Sequence, residues 1–93
     1  MRLMLFIPLM LAGEAALAST DEAWTEFRAD VLEKCRALAP EGGASSVEVN
    51  PLGSDRFGAA IVTTTLESGE TQRAICIYDK QAKTAEITAP FGG

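Results

Sequence analysis

Apolar residues recur along this chain with two different periods, and the change of period divides it. From Asp21 to Ala39, Trp24, Phe27, Val31, Cys35 and Leu38 are spaced by three and four, which puts them on one face of a helix. Glu22, Glu26, Glu33 and Arg36 fall on the opposite side. Ser19 with Glu22 fits a capping box, acids at Asp21 and Glu22 suit the positive start of a helix, and Lys34 and Arg36 suit its negative end. Pro40 and the pair Gly42-Gly43 stop it.

Beyond Gly43 the period drops to two. Ser46 to Asn50 alternates with Val47 and Val49 on one side, and Arg56 to Leu66 is a longer run of small, β-branched and aromatic residues. Thr71 to Asp79 reads as a third strand, and Thr84 to Ala89 sets Ala85, Ile87 and Ala89 against Thr84, Glu86 and Thr88. The connections Pro51 to Asp55, Glu67 to Glu70 and Lys80 to Lys83 are short, and Pro90 onward is a tail. Short links favour neighbouring antiparallel strands. The expected fold is therefore α+β: one N-terminal amphipathic helix packed on a four-stranded antiparallel β-meander.

The two cysteines tie these elements together. Cys35 lies in the helix stripe, and on the third strand Ala74, Cys76 and Tyr78 point one way while Ile75 and Ile77 point the other. A Cys35–Cys76 disulfide would place the first set under the helix, and its loop of about 40 residues corresponds to roughly 4 kcal/mol in the chain-entropy account. One helix covers one face of a sheet. Ile75 and Ile77, with Val62 and Leu66 from the neighbouring strand, would then form an open apolar face of the kind that marks a contact surface, unless loops or sheet twist cover them.

Composition adds an address. Met1-Arg2, the apolar run Leu3 to Leu11 and the small residues of Ala16-Leu17-Ala18 make a secretory signal peptide over residues 1–18, with cleavage after Ala18. The apolar run is about half of the ~20 residues that span a bilayer, so no stable membrane anchor is expected. The remaining domain, Ser19 to Gly93, keeps the formal charge of −5, because Arg2 and Glu14 leave together. That balance argues against nucleic acid and anionic membranes as partners. A small exported domain with two cysteines is the setting in which a disulfide compensates for a small core.

Catalytic chemistry finds little to stand on. The chain has no histidine, which removes the commonest general base and zinc ligand. Its cysteines form no CxxC pair, and its glycines make no phosphate-binding loop. Glu22, Glu26, Asp30 and Glu33 read as a solvated helix face rather than a metal site, with Lys34 paired to Asp30. Trp24, Phe27 and Tyr78 read as core. Arg56 and Arg73, on adjacent strands near Asp55 and Glu70, suit cross-strand ion pairs or the holding of an acidic group on a partner.

Two families share the topology. The segment Cys76-Ile-Tyr-Asp-Lys-Gln-Ala-Lys-Thr-Ala-Glu-Ile87 resembles the end of a PepSY-type domain, in which a strand closes on an Asp, a short turn and a final strand. The chain departs from that pattern at Ala82-Lys83, where the family carries a glycine. A helix against an antiparallel sheet is also similar to cystatins, but the Gln-x-Val-x-Gly inhibitory loop is missing, so protease inhibition does not carry over. The pairing of one helix cysteine with one late-strand cysteine resembles small, uncharacterised exported bacterial proteins, which bring no activity with them.

The sequence thus leads us to expect a periplasmic or secreted, non-catalytic binding or accessory protein without cofactor or metal. Its partner would be a protein met through Ile75, Ile77, Val62, Arg56 and Arg73, a homodimer through the open sheet face being one form of that contact. The alternative is an inhibitor or modulator of an exported enzyme, acting through mobile polar loops at Pro51 to Asp55 or Glu67 to Glu70.

Overall fold

The computed structural model describes residues 20–92, so the signal-peptide reading of residues 1–18 and the capping role of Ser19 lie outside the described residues. Helix α1 runs over Asp21–Ala37, followed by strands β1 (Gly43–Val49), β2 (Phe57–Leu66), β3 (Thr71–Asp79) and β4 (Thr84–Ile87). The strands form one open sheet in the order β1-β2-β3-β4, each pair antiparallel. The helix packs across one face, in the α+β arrangement that the periodicities predict, although twenty residues precede it and it is not the start of the chain.

Thr20 is the N-cap of α1: its hydroxyl oxygen accepts from the Ala23 N–H at 3.0 Å. With the cap at Thr20 the third helical position is Ala23, whose side chain has no acceptor to return to the cap. The helix closes two residues earlier than the stripe suggests. Leu38 is its C-cap, its N–H donates to the Cys35 carbonyl at 3.1 Å, and its side chain is 38% exposed rather than core.

Even-numbered positions of the two central strands face the helix. Gly58, Ala60, Val62 and Thr64 of β2 are buried beside Ala74, Cys76 and Tyr78 of β3. Val31 and Cys35 meet them from α1, and Phe27, Ala39, Val47, Val49, Ala85 and Ile87 close the core around its rim. Thr64 is polar and buried; its hydroxyl hydrogen-bonds that of Ser45 on β1 at 2.7 Å, which removes the penalty of an orphaned group.

The disulfide joins Cys35 to Cys76 with Cα atoms 5.8 Å apart, and both residues are fully buried. It pins the last third of α1 to the middle of β3. The other end of the helix approaches β2 at Gly58, where an added Cβ would lie 2.9 Å from Phe27 Cζ and 3.0 Å from Val31 Cγ2. The β3–β4 turn resolves the missing glycine of the PepSY-like segment: Lys83 itself adopts φ 61°, the left-handed conformation that glycine takes without a Cβ penalty. Asp79 holds this turn, its Oδ1 accepting from the N–H groups of Gln81 (2.9 Å) and Ala82 (3.0 Å).

After β4 the chain continues against β3 with one extra residue. The β3–β4 register pairs Cys76 with Ile87, which would set Arg73 opposite Pro90, yet Arg73 bridges to Phe91. Thr88 keeps the register, its N–H donating to the Ile75 carbonyl at 2.9 Å and its Oγ1 accepting from the Ile75 N–H at 3.0 Å, so the extra residue falls between Thr88 and Phe91. Residues read as a tail thus return to the sheet, and Phe91 N–H donates to the Arg73 carbonyl at 2.7 Å.

Two expected outcomes follow from this packing. Reducing the disulfide, or replacing both cysteines by alanine, lowers unfolding free energy by about 2–4 kcal/mol in urea titrations with and without reductant. Gly58→Ala costs about 1–3 kcal/mol in the same assay, because the new methyl meets the helix rather than solvent.

Candidate functional site

Among the described residues no helix packs on the sheet face away from α1. Strand alternation places Phe57, Ala59, Ile61 and Thr63 of β2 on it, beside Asp79, Ile77, Ile75 and Arg73 of β3, which are their direct register partners in that order. Ile61, Ile75, Ile77 and Ala59 form its half-buried centre. Phe91 sits opposite Arg73 and extends the apolar surface at one end, 61% exposed, while Phe57 does so at the other, 37% exposed. Glu48 of β1 and Glu86 of β4 lie at the two edges. Shallow hollows of about 210 Å³ beside Phe57 and Ile77, and about 160 Å³ beside Ile61 and Ile75, flank the ridge between them.

The sequence-derived set needs three corrections. Val62 is 1% exposed; it pairs with Val47 and Ala74 on the helix side and belongs to the core, and Leu66 shares its parity. Ile61 takes the place given to Val62, because Ile75 pairs with Ile61. Arg56 and Arg73 are not neighbours: Arg73 pairs with Thr63, whereas Arg56 precedes β2 at the opposite end of the sheet, its guanidinium 5.1 Å from the Phe57 ring centroid. Among the described residues neither guanidinium is within ion-pairing distance of a carboxylate. Asp79 completes the face. The N–H groups of Ala82 and Gln81, with the charge of Arg56, hold its carboxyl below the usual carboxylate range, so it presents an anion.

A second feature escapes sequence reasoning because it is assembled from three elements. A groove of about 870 Å³ runs along the first half of α1, lined by Trp24, Phe27 and Asp30, by Tyr78 of β3 and by Lys80 and Lys83 of the following turn. Trp24 and Phe27 meet edge to face at 5.6 Å, and Phe27 meets Tyr78 likewise at 5.9 Å. Lys80 Nζ lies 5.3 Å from the Trp24 centroid and 4.9 Å from that of Phe27. It also donates to the carbonyls of Leu52 (3.0 Å) and Ser54 (2.6 Å). The loop 51–55 is therefore pinned to the β3–β4 turn, and Asn50 Oδ1, accepting from Gly53 N–H at 2.8 Å, fixes its start. Trp24, expected in the core, is half-buried under this lysine.

At the floor of the groove Tyr78 donates its phenolic O–H to Asp30 Oδ2, and Lys34 Nζ donates to both Asp30 oxygens at 2.9 and 3.0 Å. These contacts, the Tyr78 bond first, hold the Asp30 carboxyl below its ordinary range. Desolvation, then the same bond and the Asp30 charge, push the Tyr78 phenol up to about 12. Both pKa values are displaced away from neutral pH, Asp30 towards the anion and Tyr78 towards the neutral phenol. Among the described residues no group of His, Cys, Asp and Glu side chains is arranged to hold a metal ion, and no helix is long and apolar enough to cross a membrane.

No family model, curated protein or solved structure matches this chain, so the PepSY-type and cystatin resemblances rest on topology alone.

Tyr78 is the single tyrosine, which makes its titration directly readable. A folded pKa of about 12 above an unfolded value of 10.0 means stability that is complete below pH 10.0 and lost as pH rises towards 12. Phenolate absorbance is expected to rise with a midpoint near 12 in the folded protein and to move down in Asp30→Asn. An unshifted midpoint in that variant would show that the hydrogen bond to Asp30 does not hold the phenol neutral.

Proposed function

We propose that this chain is an exported, non-catalytic binding protein that meets a protein partner through the sheet face opposite α1. The observation that carries the reading is the apolar surface of Phe57, Ile61, Ile75, Ile77 and Phe91, on the sheet face that no helix covers among the described residues. Large apolar side chains are normally spent on the core in a domain this small, and a contiguous, partly exposed set of them marks a contact site. A core apolar patch rimmed by Glu48, Glu86, Arg73 and Asp79 has the anatomy of a protein interface.

The disulfide supports an oxidising environment. Together with the signal-peptide pattern of residues 1–18 it favours a periplasmic or secreted address. The net charge of −5 disfavours nucleic acid as the partner. A binding role also accords with the titration of the groove residues: a general acid or base works best with a pKa near the operating pH, and Asp30 and Tyr78 are displaced from it in opposite directions.

A photo-crosslinking residue placed at Ile77 is expected to yield a protein adduct in the exported compartment, while the same probe at Glu33, on the solvated side of α1, yields none. The adduct should disappear with Ile75→Asp. Equal labelling from both positions, or no adduct at Ile77, would remove the assignment of this face.

A further inference from the structure

We propose that the occupant of the open face is a second copy of this chain, related by a two-fold axis that crosses the strands over Cys76 and sets Ile75 against the partner's Ile77 and Arg73 against the partner's Asp79. The inference rests on the reading of this face as a contact surface and names what covers it. Its basis is the order of residues on β3. Arg73, Ile75, Ile77 and Asp79 all point to the open face, with cation and anion equidistant from Cys76 at opposite ends and isoleucines equidistant between them. A two-fold at that centre turns the row onto itself with its charges exchanged, so both ion pairs form at once.

The neighbouring strands agree with the same axis. The register partner of Cys76 on β2 is Ala60, so Ile61 meets the partner's Ala59 and Phe57 meets the partner's Thr63. On β4 the partner of Cys76 is Ile87, which brings Phe91 over the partner's Thr84, at the margin of the hollow beside Phe57 and Ile77. Glu86 falls towards the partner's Thr88 and Glu48 towards the partner's Asn50, so no carboxylate meets a carboxylate. A two-fold parallel to the strands and between β2 and β3 does worse: it lays Asp79 on the partner's Phe57 and Arg73 on the partner's Thr63, leaving both charges of each copy, four in all, buried without partners.

Size is compatible with such a dimer. Four strands at ~4.8 Å spacing and seven residues at ~3.4 Å rise give a face of about 19 by 24 Å. The pair then buries roughly 900 Å² in total, at the low end for a specific complex, so a concentration-dependent dimer is expected rather than an obligate one. Face-to-face sheets align within about 30°, an offset that the long Arg73 side chain spans.

Sedimentation equilibrium of the protein recovered from the exported compartment, over a dilution series, should show a monomer–dimer equilibrium that weakens with added salt. Arg73→Glu should weaken it about tenfold or more, by setting two pairs of like charges against each other. The exchange variant Arg73→Glu with Asp79→Arg should recover most of that loss, although it gives up the Asp79 bonds to the β3–β4 turn. Asp79→Asn retains an acceptor oxygen for that turn and removes only the charge; it should weaken the dimer and flatten the salt dependence, which keeps the test decisive if the exchange variant does not fold. A monomer at every concentration, alongside an adduct of another protein at Ile77, would overturn the second copy and leave the contact face standing. A dimer dissociated by Ile75→Asp but indifferent to all three charge variants would overturn the two-fold. A monomer with no adduct at Ile77 would overturn both.

Discussion

The Cys35–Cys76 disulfide decides which side of the sheet is inside. Strand geometry offers β3 two faces, one carrying Ala74, Cys76 and Tyr78 and the other Arg73, Ile75, Ile77 and Asp79. The bond to a cysteine in the helix stripe holds the first of these inward, and α1 covers it with Val31, Cys35 and Phe27. Small residues on the sheet side, Gly58 and Ala60 above all, let the helix come close enough for that bond. The covalent link thus stabilises a packing that leaves large apolar side chains on the outside, an arrangement that a domain of this size would not hold easily by burial alone.

The parity of β3 was readable from the sequence because a cysteine on a helix face and a cysteine on a strand each have one direction. The parity of β2 was not. Ala59, Ala60, Ile61 and Val62 are apolar at both odd and even positions, so the period of two is silent there and only the register with Ala74 and Ile75 settles it. That is why Val62 exchanges places with Ile61. The helix end shifts for a related reason: Leu38 continues the spacing of the stripe after the backbone has left the helix. Phe91 was invisible as part of the sheet because an extra residue between Thr88 and Phe91 breaks the alternation that would have announced it. The groove had no local signal either, since Trp24, Tyr78 and Lys80 are brought together by packing of α1 against β3 and its turn.

The turn after β3 connects these two surfaces. Alternation sends Asp79 to the open face and the chain reverses at once, so that Lys80 reaches the opposite side and lies over Trp24 and Phe27. Asp79 shapes the turn through its bonds to Gln81 and Ala82, and those same N–H groups keep its carboxylate charged. Lys83 accepts a left-handed conformation to finish the reversal in so few residues. A substitution at Asp79 therefore acts in two places: on the charge displayed at the end of the isoleucine row, and on the position of Lys80, whose ammonium ties the loop 51–55 to the groove. Asparagine separates the two effects, because an amide oxygen can still accept from the turn. The geometry of the groove is then expected to survive the loss of a charge that only the open face uses.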